Sequence, residues 1–209
     1  MGKLRVESLV LGMVATNCYL LQNRETGEIV IMDPADEAER IEQKVAQMGG
    51  KPRAILLTHG HFDHIGAADA LRRRYEIPVC APRAEAELLQ DPNQNLSLAM
   101  GGRGITVTAD QLFEDEQCVT FAGLSLQVLY TPGHTCGSAC YYLEEEQVLF
   151  SGDTLFHCSV GRTDFPTGSM SRLHDSIHRR LFVLPEQTLV YPGHDQMTDI
   201  GYEKKYNPY

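Results

Sequence analysis

The chain contains no run approaching the about 18 uninterrupted apolar residues that a membrane-crossing helix needs. Its opening, MGKLRVESLVLGM, lacks the long apolar block and cleavage site of a secretory signal. The protein is therefore expected to be cytoplasmic and soluble, with no membrane partner. None of its six cysteines (Cys18, Cys80, Cys118, Cys136, Cys140, Cys158) forms a CxxC pair, which argues for reduced thiols, mostly buried, over a disulfide framework or a Cys-only zinc site. No basic run is longer than Arg72-Arg73-Arg74 and the net charge is −10, a balance that opposes nucleic acid as a partner. Repeats, linkers and low-complexity tracts are also missing. Residues 1–209 accordingly read as a single domain, and 43% apolar residues suffice for one well-buried core.

What is present alternates between strand-like and helical stretches. Residues 4–11, 17–22 and 28–32 are short and rich in β-branched and apolar side chains, as strands are. Ala38, Ile41, Val45 and Met48 recur at helical spacing before Gly49-Gly50 stops the run. A buried strand over 54–58 and a helix over 65–75 follow, then a strand at 78–81 and a short helix at 82–89. Residues 91–111 show no clean period and are expected to form a long irregular loop, where function is often found. Strands at 118–121, 124–130, 138–143 and 147–151, a helix over 171–182 and a last strand at 188–191 complete the chain. Two sheet-forming halves, each followed by helices, point to an α+β fold with sheets packed face to face and helices outside.

The segment THGHFDH groups His59, His61, Asp63 and His64 directly after a strand. Imidazole and carboxylate are the usual ligands of zinc and of non-haem iron or manganese. One ion cannot readily use all four. His59 and His61 alternate on one extended segment and can meet the same ion, whereas Asp63 and His64, past the bend, would face a second. A hydrolytic two-ion site needs one further histidine for each ion and a shared carboxylate. TPGH, SGD and YPGH supply His134, Asp153 and His194, each just after a strand and a glycine-containing turn.

These motifs, in this order and with FHCSVGRTDFPTGS among them, resemble the metallo-β-lactamase superfamily of hydrolases, and specifically its glyoxalase II-like (hydroxyacylglutathione hydrolase-like) branch. The resemblance spans nearly the whole chain. It implies a four-layer αββα sandwich with a two-ion site at one edge, His59, His61 and His134 on one ion, Asp63, His64 and His194 on the other, and Asp153 bridging. It also implies two divalent cations, zinc foremost, with iron or manganese accepted by the same ligand types. His157, His174 and His178 match no ligand position and are read as structural. Cys158 departs from the pattern, standing where the family carries a small glycine.

The activity so implied is hydrolysis of a small-molecule thioester of the S-lactoylglutathione kind by a hydroxide shared between the ions, with Asp63 as catalytic residue orienting it. A thiolate leaves readily because thiol pKa values lie near ~8.5, so the ligand set needs no added general acid. Arg162 in GRTD is a candidate to pair a substrate carboxylate, the alternative being a structural bond to Asp164. Residues 95–100 are candidates to wall the acyl pocket, and Lys204 or Lys205 to reach its mouth, although solvated surface charge is the plainer account of the lysines. Only 15 residues follow His194, too few for the helical domain that holds glutathione in glyoxalase II enzymes. A competing reading on the same scaffold is a persulfide dioxygenase using one iron on His59, His134 and Asp153.

Overall fold

A computed structural model describes residues 2–209. The first half builds a six-stranded sheet from β1 (Leu4–Leu11), β2 (Thr16–Asn23), β3 (Glu28–Met32), β4 (Lys51–Leu56), β5 (Val79–Pro82) and β6 (Gln111–Phe113), in that spatial order. The first three strands are antiparallel neighbours, and β3 to β6 run parallel. The parallel crossovers carry α1 (Ala38–Met48), α2 (Phe62–Ile65) with α3 (Ala68–Tyr75), and α4 (Ala86–Gln90). The second half builds a sheet ordered β14-β13-β10-β9-β8-β7, from β7 (Cys118–Phe121), β8 (Leu124–Tyr130), β9 (Ala139–Leu143), β10 (Val148–Gly152), β13 (Leu189–Pro192) and β14 (Thr198–Asp199). A small ribbon of β11 (Leu155–Phe156) and β12 (Ser159–Val160) precedes α5 (Met170–Ser176), and α6 (Ile200–Tyr206) ends the fold.

The strands are apolar on both faces because both faces are covered. In β2, Tyr19 and Leu21 point between the sheets while Cys18 and Leu20 point to the helices. Val30 and Met32 of β3 face inward likewise, with Ile29 and Ile31 outward. Between the sheets these residues meet Leu126, Val128, Tyr141 and Phe150 of the second sheet. On one flank, Ile41, Val45 and Met48 of α1 join Leu71 of α3 against the first sheet. On the other, Leu173 of α5 and Ile200 of α6 cover Cys140, Leu149 and Val190. The result is the four-layer αββα sandwich expected of the sequence.

Local details differ from expectation. The helix expected over 65–75 begins only at Ala68, Ile65 closing α2 instead: between them Ala67 N–H donates to Pro34 O and the Gly66 α-carbon packs against the Ala35 carbonyl, leaving no room for a side chain. The helix expected over 171–182 holds α geometry only to Ser176 and then widens into a π-helical stretch over Ile177–Leu181. Residues 91–110 form turns and bends without regular structure, as expected. Among the described residues no helix is long and apolar enough to cross a membrane.

Candidate metal centre

All seven residues implied as ligands emerge from strand ends along one edge of the sandwich. His59 and His61 follow β4, Asp63 and His64 sit in α2, His134 follows β8, Asp153 follows β10 and His194 follows β13. Parallel pairing sets Gly152 of β10 opposite Pro192 of β13, so Asp153 and His194 leave the sheet side by side. Gly193 between them must lack a side chain, since a β-carbon there would collide with Asp153 Oδ1 and crowd the His64 ring. A backbone bond from Ala139 N–H to Thr58 O joins the two sheets beside the cluster.

Three overlapping groups of donor atoms form, each spanning no more than 4.8 Å: His59, His61 and His134; His59, His64 and Asp153; and Asp63, His64 and His194. Asp153 touches both ends of the cluster. Its Oδ1 lies 3.3 Å from His64 Nε2, and its Oδ2 lies 3.4 Å from His134 Nε2 and 3.5 Å from His194 Nε2. His61 Nδ1 faces His134 Nε2 at 2.8 Å. His59 Nε2, His64 Nε2 and Asp153 Oδ1 are buried without a hydrogen-bond partner. So many buried lone pairs converging on one another are costly unless cations lie between them, and the donor set suits divalent metals.

The ring orientations are set from behind. Asp33 Oδ2 lies 3.0 Å from His64 Nδ1, and the same carboxylate accepts from the Thr58 hydroxyl at 2.7 Å and the Thr58 N–H at 2.8 Å. His134 Nδ1 lies 2.7 Å from Arg162 O, which requires a proton on Nδ1 and leaves Nε2 as the electron-pair donor. The Thr16 hydroxyl donates to Asp63 Oδ2 at 2.8 Å. Glu85, fully buried, clamps the two histidine loops together: its carboxylate accepts from Gly60 N–H at 2.8 Å, Gly137 N–H at 2.9 Å and the Thr135 hydroxyl at 2.7 Å. Sequence reasoning missed all of these. Asp33 carried a signal, because it too follows a strand directly, whereas Glu85 sits in PRAEAELL and reads as a solvent-facing helical acid.

Charge and burial pull the cluster in opposite directions. Burial holds His59 well below the usual imidazole range and His61 down at about 3. For His64 burial acts the same way, but the carboxylates of Asp63, Asp153 and Asp33 outweigh it and raise the group well above its ordinary value. His194 is pushed up to about 10, burial being overcome by its bonds to Asp153 and Asp63. Asp63 is held at about 2 in spite of burial, by the neighbouring His64 and the contact with His194. The half of the site holding Asp63, His64 and His194 thus favours positive charge strongly, as a cation-binding site must.

A cleft of about 350 Å³ opens beside the cluster, lined by Asp63, His134, Asp153 and His194 together with apolar side chains such as Phe62, Leu96 and Phe156. Arg162 also lines it, but both prongs of its guanidinium engage Asp164, Nε to Oδ1 at 2.7 Å and Nη2 to Oδ2 at 2.6 Å. Of the expected loop, Leu96 and Met100 reach the cleft. Lys204 pairs with Glu186 at 3.4 Å, and Lys205 lies 5.0 Å from the Tyr206 ring. The remaining histidines lie elsewhere: His174 and His178 stack on each other at 4.2 Å, and His157 contacts the buried carboxylate of Glu203 at 3.5 Å.

Residues 11–194 match the family described as the metallo-beta-lactamase superfamily. The chain belongs to this superfamily. It is 41% identical over 202 residues to the probable metallo-hydrolase YqgX of Bacillus subtilis, covering 95% of this chain and 94% of that one. It is 32% identical over 208 residues to the hydroxyacylglutathione hydrolase GloC of Haemophilus influenzae, covering 99% and 98%. Among solved structures, the BLEG-1 B3 metallo-beta-lactamase superposes with a TM-score of 0.93 at 44% identity, covering 98% of each chain. TTHA1623 in a di-iron-bound form superposes with a TM-score of 0.84 at 36% identity, covering 97% of this chain and 98% of that one. Members of the superfamily are mostly metal-dependent hydrolases, and the histidine and aspartate cluster of this chain is of a kind that can hold divalent metals.

Proposed function

We propose that the protein is a glyoxalase II-like thioesterase, a metal-dependent hydrolase acting on small hydroxyacyl thioesters of which S-lactoylglutathione is the reference compound. The observation that carries this reading is the reach of Asp153 into both halves of the donor cluster, which suits two ions and not one. In this assignment His59, His61 and His134 would hold the first ion, Asp63, His64 and His194 the second, and Asp153 would serve both. Zinc is the first candidate, and the similarity to a protein crystallised in a di-iron form keeps iron beside it. The likeness to GloC supports the thioester.

Bound divalent cations supply a nucleophile at neutral pH and polarise the acyl oxygen. The chain's own residues do the rest. Asp63, anchored at Oδ2 by Thr16, faces the cleft, where it orients the attacking water by accepting its hydrogen bond. Phe62, Leu96 and Phe156 keep bulk water from the acyl carbon. Asp33 and the Arg162 carbonyl hold His64 and His134 with the correct nitrogen free. The departing thiolate needs no dedicated acid at neutral pH, its conjugate pKa lying near ~8.5.

The test is initial hydrolysis of a thioester panel by protein of assayed metal content, with Asp63→Ala as control and its fold checked by circular dichroism. Metal-dependent turnover that falls about 10²–10⁴-fold in the variant is expected. Two bound ions with no thioester turnover would overturn the reading, and oxygen consumption with glutathione persulfide would replace it with the one-iron dioxygenase.

A further inference from the structure

Among the described residues, a further group of three metal-type donors lies outside the centre: His157, Cys158 and Glu203, one atom from each falling within 4.8 Å of the others. His157 and Cys158 form the turn of the β11–β12 ribbon, and Glu203 reaches them from α6. Cys158 has a φ of 52°, in the left-handed region where a cysteine is uncommon and a glycine is at ease. The chain keeps a thiol there in spite of that misfit. The Cys158 N–H fixes the turn by donating to Glu203 Oε2 at 2.9 Å.

Glu203 is fully buried. The Thr198 hydroxyl donates to its Oε1 at 2.5 Å and the Asn207 amide to its Oε2 at 2.8 Å, which holds the carboxylate in place. Opposite Oε1 stands His157, with Nδ1 3.5 Å away. That separation is long for a hydrogen bond. It is instead the spacing of two ligands on one ion, roughly 3.3–3.6 Å for a tetrahedral site with zinc bonds of about 2.0–2.3 Å. The His64–Asp153 and His194–Asp153 pairs of the two-ion cluster are spaced alike, at 3.3 and 3.5 Å. The Cys158 sulfur lies 4.0 Å from His157 Nε2, and the Tyr202 ring stacks on His157 at 5.0 Å.

We propose that His157, Cys158 and Glu203 bind a further divalent cation of the thiophilic kind, zinc foremost, apart from the two-ion centre. Thiolate and imidazole select zinc-like ions over magnesium or manganese, and the carboxylate completes three ligands, leaving the fourth position to water. Binding releases the thiol proton to solvent, and the sulfur pair passes to the ion. His157 and Cys158 are only half-buried, so the site fills when metal is offered and empties on dialysis. Its ion ties α6 to the ribbon whose Phe156 lines the cleft and meets the His194 ring edge-on at 5.9 Å. The site stands whether or not the cleft takes a thioester.

Cobalt(II) added to protein whose two-ion centre already holds its metal is the probe, because a thiolate on cobalt gives a near-ultraviolet charge-transfer band that histidine and aspartate ligands do not. The band is expected to saturate at about one cobalt per chain and to be bleached by zinc. Cys158→Gly should abolish it, and since glycine suits the φ of this turn the loss is not one of folding. His157→Gln should raise the cobalt concentration at half-saturation by at least the about 10-fold that even a group behind a ligand contributes. Amide exchange in α6 should slow as the band grows. No band, or a band that survives in Cys158→Gly, overturns the proposal, and so does a His157→Gln variant that titrates like the unaltered protein. Exchange in α6 that ignores the bound ion overturns the tie to the ribbon.

Discussion

Replacing Glu85 by glutamine tests how far the metal centre depends on a residue that touches no ligand atom. The Glu85 side chain is fully buried, and burial pushes its carboxyl above the usual range, partly offset by its three donors. One oxygen accepts from Gly60, which separates His59 from His61, and the other from Thr135 and Gly137, which follow His134. Glutamine keeps the shape but turns one acceptor into an N–H₂ group. Whichever way the amide is placed, at least one buried N–H then faces another donor, at a cost of about 1–3 kcal/mol. The relieved burial of charge offsets some of this, so a net loss at the lower end, about 1 kcal/mol, is expected in urea unfolding of the metal-free protein. Because the lost bond sits between the two loops, first-ion affinity should also fall, by about 10–100-fold as for other groups behind metal ligands. Competition titration against a chromophoric chelator measures that. A stability loss with unchanged metal affinity would show that Glu85 only packs, and no change in either would refute the clamp altogether.

Asp33→Asn should lower occupancy of the second ion selectively, because the amide no longer imposes the Nδ1–H tautomer on His64; metal analysis after dialysis should fall from about two ions toward one. Chelator treatment should lower the thermal midpoint reversibly, free metal at about 100 times its dissociation constant contributing about 2.7 kcal/mol to the native state, and an unaltered midpoint would mean the cluster holds no ion. Asp164 is held down at about 2 by its bond to Arg162, so the pair is intact above the ordinary aspartate range and is lost only as pH falls toward that value. Loss of that pair above about pH 5 at any ionic strength, read from the Asp164 carboxyl resonance, would refute the assignment.

The seven donor residues were legible as a sequence because each is set by local covalent spacing. THGHFDH forces four donors onto one turn, and TPGH, SGD and YPGH each append one to a strand end. The sandwich was legible as well: strands such as β2 and β3 are apolar at successive positions, and only layers on both faces can bury that. The break at Gly66 and the widening after Ser176 were not, because each depends on a neighbour distant in the chain: the Ala35 carbonyl for the first, the packing of Ile177 and Leu181 on the second sheet for the other.

The same distinction runs through the site. Residue type and spacing alone determined which side chains could bind metal and that two ions suited them. Only the tertiary structure decided that Glu85 and Asp33 are buried acids behind the histidines, that Thr16 anchors Asp63, and that Asp164 pairs with Arg162. A carboxylate in a sequence is an acceptor of unknown address. Its partners, 25 residues away for Thr58 and Asp33 or 52 for Gly137 and Glu85, are chosen by the packing of layers, and burial then turns an ordinary surface charge into a positioning group.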